Sequence, residues 1–277
     1  MRKINYKLIM SDFDGTLFRS DHTVLPETVA AINEYVQAGG IFVVSTGRGI
    51  EAILPQVREL GLKGLVSAYQ GSTVAEIETG KLLVDGGMPK EDALRICKAF
   101  EEDEGIHTQV YTLRDFYVNK DNEARRKYEA ITKTKGIYFE GKASDFIKTI
   151  QEPIKKVNVL VDPKDKMRVY ERMRQRLGDE FYVAYSAETL VEVSAKNYSK
   201  GTALTFIANY YGIPLEKTVA VGDNLNDLPM LSLAGKGIPV ANADQKLKEV
   251  LPAYRYSNDE NAIGKIIEEF GFTGEKE

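Results

Sequence analysis

The first apolar run, KLIMS at 7–11, stops abruptly at Asp12-Phe13-Asp14-Gly15-Thr16, the pattern of a buried strand that delivers a polar loop. A helix is expected next, because Pro26 and Glu27 suit a first turn, Val29, Ile32 and Val36 recur at helical spacing, and Gly39-Gly40 end the run. IFVVS at 41–45 reads as a second buried strand and LVSAY at 65–69 as a third, with a helix over about 49–60 between them that Pro55 is expected to bend or break. Strands joined by helices of this length need crossover connections, so this β-α-β-α-β order predicts a parallel sheet covered on both faces.

From Thr73 the period changes. Two short alternating runs flank Thr79-Gly80, a hairpin signal. The middle of the chain then predicts helices at 89–103, 121–134 and 163–177 and strands at 107–113, 116–119, 156–161, 181–186 and 190–194, an α+β module. After it the α/β alternation resumes, with helix 200–211, strand 218–221, helix 225–234, strand 237–241 and two further helices. The fold class expected is therefore α/β: a doubly wound, Rossmann-like parallel core from 1–83 and 194–277, interrupted by an inserted α+β domain at 84–193. The connections fall near Asp85-Gly86-Gly87 and at 194–197.

Composition narrows the partners. The chain of 277 residues is 43% hydrophobic and 28% charged, which allows a substantial core. Its net charge of -4 argues against non-specific nucleic-acid binding and favours a small-molecule partner. One cysteine excludes an internal disulfide framework, the N-terminal apolar stretch is too short for a secretory signal, and no window approaches the roughly 18 to 20 apolar residues of a spanning helix. The expectation is a cytoplasmic protein, a monomer or weak homodimer, with no membrane and no nucleic-acid partner.

Asp12 and Asp14 lie two positions apart just past a strand, and Gly15 permits the tight turn that lets both serve one pocket. One carboxylate can attack phosphorus and form an aspartyl phosphate while the other protonates the leaving oxygen and later activates water. Alone, Asp-x-Asp-Gly is as well explained by a turn. Thr46-Gly47-Arg48 follows the second strand and Gly222-Asp223-Asn224-Leu225-Asn226-Asp227 follows 218–221, so three polar clusters stand where the ligand crevice of an open parallel sheet lies. Together they offer hard oxygen ligands for Mg²⁺, a hydroxyl and backbone N–H groups for phosphate oxygens, and acids with separate tasks. Lys200, at a helix start, adds the positive charge.

At these residues the chain resembles a known group. Asp12-Phe13-Asp14-Gly15-Thr16-Leu17, Ser45-Thr46-Gly47-Arg48, Ser199-Lys200-Gly201 and Gly222 to Asp227 are similar to the four ordered motifs of the haloacid dehalogenase (HAD) superfamily. The size and place of the insertion, with the closing Ser257-Asn258-Asp259-Glu260-Asn261, resemble its Cof-type sugar-phosphatase branch, which carries an α+β cap of the C2B kind. The resemblance implies Asp12 as nucleophile and Mg²⁺ ligand, and Asp14 as acid/base with its backbone carbonyl on the metal. It implies Thr46 and Gly47 as phosphoryl-binding, Lys200 as the stabilising cation and Asp223 as a further metal ligand. Asn226 is expected to touch the phosphate, and Asp227 to coordinate the metal through water or to position Lys200. The substrates implied are small phosphorylated metabolites, sugar phosphates first and nucleotide or cofactor phosphates behind them. A phosphomutase on the same core and a non-catalytic sensor of Mg²⁺ and phosphorylated ligands remain as alternatives.

Three departures from the branch bear on substrate contacts: Gln70-Gly71 in place of Asn-Gly, Ala262 in place of glycine, and 238–242 without methionine-glycine. Elsewhere ordinary structural roles are expected. His22 and His107 are isolated, Cys97 sits among Leu94, Ile96 and Phe100, and the basic stretch from Lys164 to Arg176 interleaves acids and reads as a solvated face with local ion pairs. Tyr111, Arg114, Tyr117, Tyr182 and Tyr185 are candidates for a cap surface that reads the substrate.

Overall fold

The structure, a computed structural model, describes residues 2–103, 106–186 and 189–274. The first passage of the chain gives β1 (Lys3–Ile4), β2 (Leu8–Asp12), α1 (Pro26–Gln37), β3 (Ile41–Ser45), α2 (Ile50–Glu59), β4 (Leu65–Ala68), and then β5 (Thr73–Glu76) and β6 (Leu82–Asp85). The middle gives α3 (Lys90–Glu101), β7 (His107–Tyr111), β8 (Phe116–Val118), α4 (Glu123–Thr132), β9 (Ile137–Tyr138), α5 (Ala143–Ile147), β10 (Lys156–Leu160), α6 (Lys166–Leu177), β11 (Phe181–Ser186) and β12 (Leu190–Ala195). The return gives α7 (Lys200–Tyr210), β13 (Thr218–Gly222), α8 (Leu228–Leu233), β14 (Lys236–Pro239), α9 (Gln245–Val250), α10 (Ala262–Ile266) and β15 (Phe272–Thr273). Two compact units result, one from 1–47, 54–84 and 199–277, the other from 48–53 and 85–198. No helix among the described residues is long and apolar enough to cross a membrane.

The larger sheet runs β14-β13-β2-β3-β4-β5-β6. Its pairs from β14 to β4 are parallel, and β5 turns back antiparallel on β4. Every residue of β2 and of β13 is buried, which explains their continuous apolar runs: a central parallel strand has no wet face. The chain winds outward from β2 to β4 and then resumes on the other side at β13, so the strand order reverses between β2 and β13, where an open α/β sheet presents its crevice.

Two local expectations are corrected. The buried stripe of α1 is Thr28, Ile32 and Tyr35, whereas Val36 is 42% exposed. The phenol wins the inward place because its ring packs over Gly40, where a Cβ would collide with it, and its hydroxyl donates to the Tyr6 carbonyl at 2.6 Å. Pro55 neither bends α2 into two helices nor ends it; buried Ile53 and Val57 hold the helix across the one missing backbone bond. The pairing of β1 with β15, by which the chain's two ends close on each other, was not anticipated.

The inserted unit is built on the mixed sheet β11-β12-β10-β7-β8-β9, antiparallel except for β8 with β9. One sheet face carries Val110, Val157, Val159, Val191 and Val193 against Ile96, Cys97 and Phe100 of α3, Ile147 of α5, and Val169 and Met173 of α6. The opposite face is polar, with Tyr182, Ser194, Lys156 and Tyr111 in one cross-strand row and Glu192, Asn158 and Gln109 in the next. The basic helix α6 is more than a solvated face. Arg168 pairs locally with Asp165, but Arg172 and Arg176 reach Asp103 beyond the end of α3, and Arg176 also donates to the Ala99 carbonyl at 2.6 Å. Val169, Met173 and Leu177, buried on the adjoining stripe, bring those arginines down onto α3.

Candidate active site

Asp12 is the last residue of β2, paired with Ser45 at the end of β3, and β13 lies on the other flank. Thr46 and Asp223 therefore emerge from the same sheet edge as Asp12. Lys200 comes from the first turn of α7, which is set by Ser199 and Thr202: the Ser199 hydroxyl accepts the Thr202 N–H at 3.2 Å and Thr202 Oγ1 accepts the Ser199 N–H at 2.9 Å. The Lys200 side chain is fully buried, and its Nζ donates to Asp12 Oδ1 and, at 2.5 Å, to Asp227 Oδ1. Asp227 Oδ2 accepts the backbone N–H groups of Asp223 and Asn224, each at 2.9 Å, so one carboxylate fixes both the lysine and the loop that carries Asp223. Thr16 Oγ1 donates to Asp223 Oδ1 at 2.8 Å. Gly15 has φ +79°, and a Cβ there would lie 2.7 Å from Asp223 Oδ2, so the turn after Asp14 requires glycine twice over.

Asp12, Asp223 and Asp227 each offer a carboxylate oxygen, and those atoms lie within 4.8 Å of one another. Three acids thus share one ammonium. Burial raises the Asp12 carboxyl well above the ordinary aspartate range; Lys200 opposes that rise, while Asp227, Asp223 and Asp14 add to it. Asp223 is pushed up to about 7 by burial and by Asp227, with Thr16 pulling the other way. Burial alone would depress the Lys200 ammonium, but Asp12 and Asp227 outweigh it and hold the group above the ordinary lysine value. An all-oxygen trio with excess negative charge suits a hard divalent cation, which would return Asp12 and Asp223 to their ionised form.

The Asp14 side chain is exposed and stands outside the trio, and its backbone bridges to Phe18. Thr46 is buried; its N–H donates to the Ser67 carbonyl at 2.9 Å, its own carbonyl accepts the Gln70 N–H at 3.1 Å, and Gly47 follows half-buried. Asn226 is buried, with Nδ2 donating to Gln70 Oε1 at 3.2 Å. Thr16 and Gln70 were missed as members of this cluster, although Thr16 stands within the first motif and Gln70 just past the third core strand. Asn242 and Asn258 were missed too. Asn242 Nδ2 donates to the Gly15 carbonyl at 2.8 Å, Asn258 Nδ2 to the Phe18 carbonyl at 3.0 Å, and the Asn258 N–H to Asn242 Oδ1 at 3.0 Å, so the closing segment braces the loop after Asp12.

In the inserted unit, Lys156 Nζ pairs with Glu192 Oε2 at 2.5 Å, and the Tyr111 hydroxyl lies 3.0 Å from Gln109 Oε1 and 2.6 Å from the Tyr128 hydroxyl. The candidate tyrosines divide: Tyr111 and Tyr182 stand on the polar face, whereas Tyr117 and Tyr185 pack on Phe146 and Tyr170, and Arg114 is exposed. His107 is buried and its imidazole is pushed down to about 4, by burial first and then by Lys120. Burial likewise pushes the Cys97 thiol up, in keeping with an inert core residue.

Residues 9–267 match the haloacid dehalogenase-like hydrolase family. The phosphatase YwpJ of Bacillus subtilis is 30% identical over 283 aligned residues that cover 94% of this chain and 98% of its own. A solved haloacid dehalogenase-like hydrolase from B. subtilis superposes with a TM-score of 0.82 at 29% identity, over 94% of this chain and 98% of that one. The HAD subclass IIB sugar phosphatase BT4131 shares the fold at a TM-score of 0.81 and 20% identity, over 96% of this chain and 99% of that one. With the match running through core and insertion alike, the chain belongs to the haloacid dehalogenase-like hydrolases, a family in which its 30%-identical relative is a phosphatase.

Proposed function

We propose that this phosphatase hydrolyses small phosphorylated metabolites, sugar phosphates foremost, through a phosphoryl group carried on Asp12, with Mg²⁺ as its metal. The observation that carries the reading is the largely buried cluster in which Lys200 joins Asp12 to Asp227 and Asp223 supplies a third acid within 4.8 Å. A carboxylate oxygen of Asp12 attacks phosphorus, the ester P–O bond breaks with its electron pair on the leaving oxygen, and Asp14 delivers a proton there. Asp14 then takes a proton from water as the water oxygen attacks phosphorus, the Asp12–phosphorus bond breaks, and inorganic phosphate leaves with Asp12 restored.

The division of labour follows the surroundings. Asp12, buried beside an ammonium, is held rigidly for attack, while exposed Asp14 can exchange protons with solvent. Thr46 and Gly47 donate to the phosphoryl oxygens, Asn226 approaches them, and Lys200 neutralises their growing charge. Asp12, Asp223 and the Asp14 carbonyl would hold Mg²⁺, with Asp227 beside them positioning Lys200, and the metal would supply Lewis-acid stabilisation of the phosphoryl group when bound. That BT4131, which shares the fold, is a sugar phosphatase supports sugar phosphates foremost. A cytoplasmic location and a monomeric or weakly dimeric state complete the reading.

The test is phosphate release from a library of sugar, nucleotide and cofactor phosphates with Mg²⁺, with product isomers analysed alongside and Asp12→Asn as control. Release from several sugar phosphates that disappears in the control is expected. Isomerisation without release would make the chain a mutase, and inactivity across the library would reject turnover altogether.

A further inference from the structure

Gln70 lies in a turn with an unusual backbone. Tyr69 and Gln70 both adopt left-handed conformations, φ +49° and +56°, followed by Gly71 at φ +97°, and all three are buried. Consecutive non-glycine residues in that region are strained and persist only where their surroundings hold them. Here the Gln70 N–H is tied to the Thr46 carbonyl, the Gly71 backbone lies so close to the Ser199 carbonyl that a Cβ would collide with it, and the Gln70 carboxamide meets Asn226. The turn therefore ties Gln70 and its neighbour Gly71 to three of the four motif loops, with the Gln70 side chain aimed at Asn226.

The two carboxamides satisfy each other only in part. With Asn226 Nδ2 on Gln70 Oε1, the buried atoms Gln70 Nε2 and Asn226 Oδ1 have no partner among the described residues. Exchanging O and N in both groups leaves the same account: one donor atom and one acceptor atom unpaired. The phosphoryl oxygens that Asn226 approaches are acceptors alone: they can take its second Nδ2–H but cannot satisfy its carbonyl oxygen. An ammonium offers donors alone. A hydroxyl donates and accepts, so it answers both atoms.

Resting on the phosphatase reading above, we infer that Gln70 and Asn226 together receive a substrate hydroxyl close to the phosphate ester, so that this chain selects esters of polyols and sugars by a hydroxyl near the reacting group. A buried acceptor left unpaired by a substrate lacking that hydroxyl would be penalised in binding and in the transition state alike.

Racemic glycerol 3-phosphate and 3-hydroxypropyl phosphate differ only in the hydroxyl beside the ester-bearing carbon. The wild type with Mg²⁺ should favour the first by about tenfold or more in kcat/KM. In Gln70→Met that ratio should fall to within about twofold of unity, and Gln70→Asn, which keeps an amide in a residue at home in left-handed backbone, should restore part of it. Because the ratio is internal to each variant, partial unfolding does not disturb it. A wild-type ratio near one, a ratio unmoved by Gln70→Met, or a ratio preserved while both esters lose equally would overturn the inference. The two esters' dissociation constants on Asp12→Asn protein supply the same ratio without turnover. No turnover with the binding ratio intact would sink the phosphatase reading alone, and turnover without the ratio would sink the hydroxyl assignment alone.

Discussion

Lys200 in the core and Lys156 in the cap are both sealed from solvent, at 0% and 3% exposure, and each closes on a carboxylate. Their company differs. Lys156 meets Glu192 at 2.5 Å and lies 4.8 Å from the Tyr111 ring centroid, with the amides Asn158 and Gln109 in the next row of the sheet. Lys200 bridges Asp12 and Asp227 while Asp223 stands in the same cluster. In the cap the lysine closes on a carboxylate, a buried pair of the kind that apolar residues of similar volume can often replace without loss of stability. In the core the acids outnumber the cation, and desolvation keeps the imbalance expensive until further positive charge arrives. An excess of one sign marks the place of reaction; a balanced polar face marks recognition or architecture.

The sharpest way to break the comparison is Asp12→Asn. It removes the nucleophile, and phosphate release should fall by at least about 10⁴-fold, since losing a residue that acts as part of a catalytic unit removes most of what the unit does. Circular dichroism should show the fold intact, and residual activity above a tenth of wild type would refute the assignment. Next come the two lysines. Lys200→Met should lower kcat by about 10²- to 10³-fold, the scale of one lost transition-state donor. Lys156→Met removes the buried ammonium that Glu192 meets and should destabilise the cap by about 3–5 kcal/mol, and adding Glu192→Leu should recover most of that loss. Recovery in the cap with no comparable rescue of activity in Lys200→Met/Asp227→Leu is the expected contrast. Equal behaviour of the two pairs in denaturation and turnover would erase it.

A smaller effect concerns the metal. Thr16→Val deletes the donor to Asp223 Oδ1 but leaves the three carboxylates, so Mg²⁺ affinity measured by activity titration should weaken by about 10- to 100-fold with kcat at saturation far less changed. An unchanged titration would show that Thr16 only packs.

How much of this was legible beforehand follows from scale. β2 and β13 announce themselves because strands buried on both faces are apolar throughout, and Asp12, Thr46 and Asp223 could be placed because they stand directly beyond such strands. Lys200 was legible from its helix start. Asp227 was legible only as a choice between a water-mediated metal ligand and a partner of Lys200, because the turn that aims one oxygen at Lys200 and the other at two backbone N–H groups leaves no mark in the pattern. Gln70 stood out as a departure, yet its partnership with Asn226 rests on left-handed backbone that no periodicity signals. β9 has two residues and α5 five, too few for a period to show, and β1 meets β15 only because distant ends of the chain converge. On α1 the spacing was right and the face was displaced by one position, because the pattern could not weigh Tyr35 against Val36.

The last prediction sets the two units against each other by pH. Asp223 titrates near 7 in the folded core against about 4 in an unfolded chain, so between those values the native state holds the extra proton. Its contribution to metal-free stability is complete below about pH 4 and is lost as the pH rises toward 7. His107 in the cap titrates near 4 when folded and about 6.5 when unfolded, so there the unfolded state holds the extra proton. Its contribution is complete above about pH 6.5 and is lost as the pH falls through 4. In EDTA, native-state hydrogen exchange should show the opening free energy of β2 and β13 amides falling from pH 5 to pH 7 and that of β7 and β10 amides rising, each by about 1–2 kcal/mol. His107→Gln should flatten the cap's response and leave the core's. Mg²⁺ should reverse the core's response, because its ligands must then be ionised, and leave the cap's unchanged. Parallel slopes in both units would mean that the excess of acid in the core is not the property that separates them.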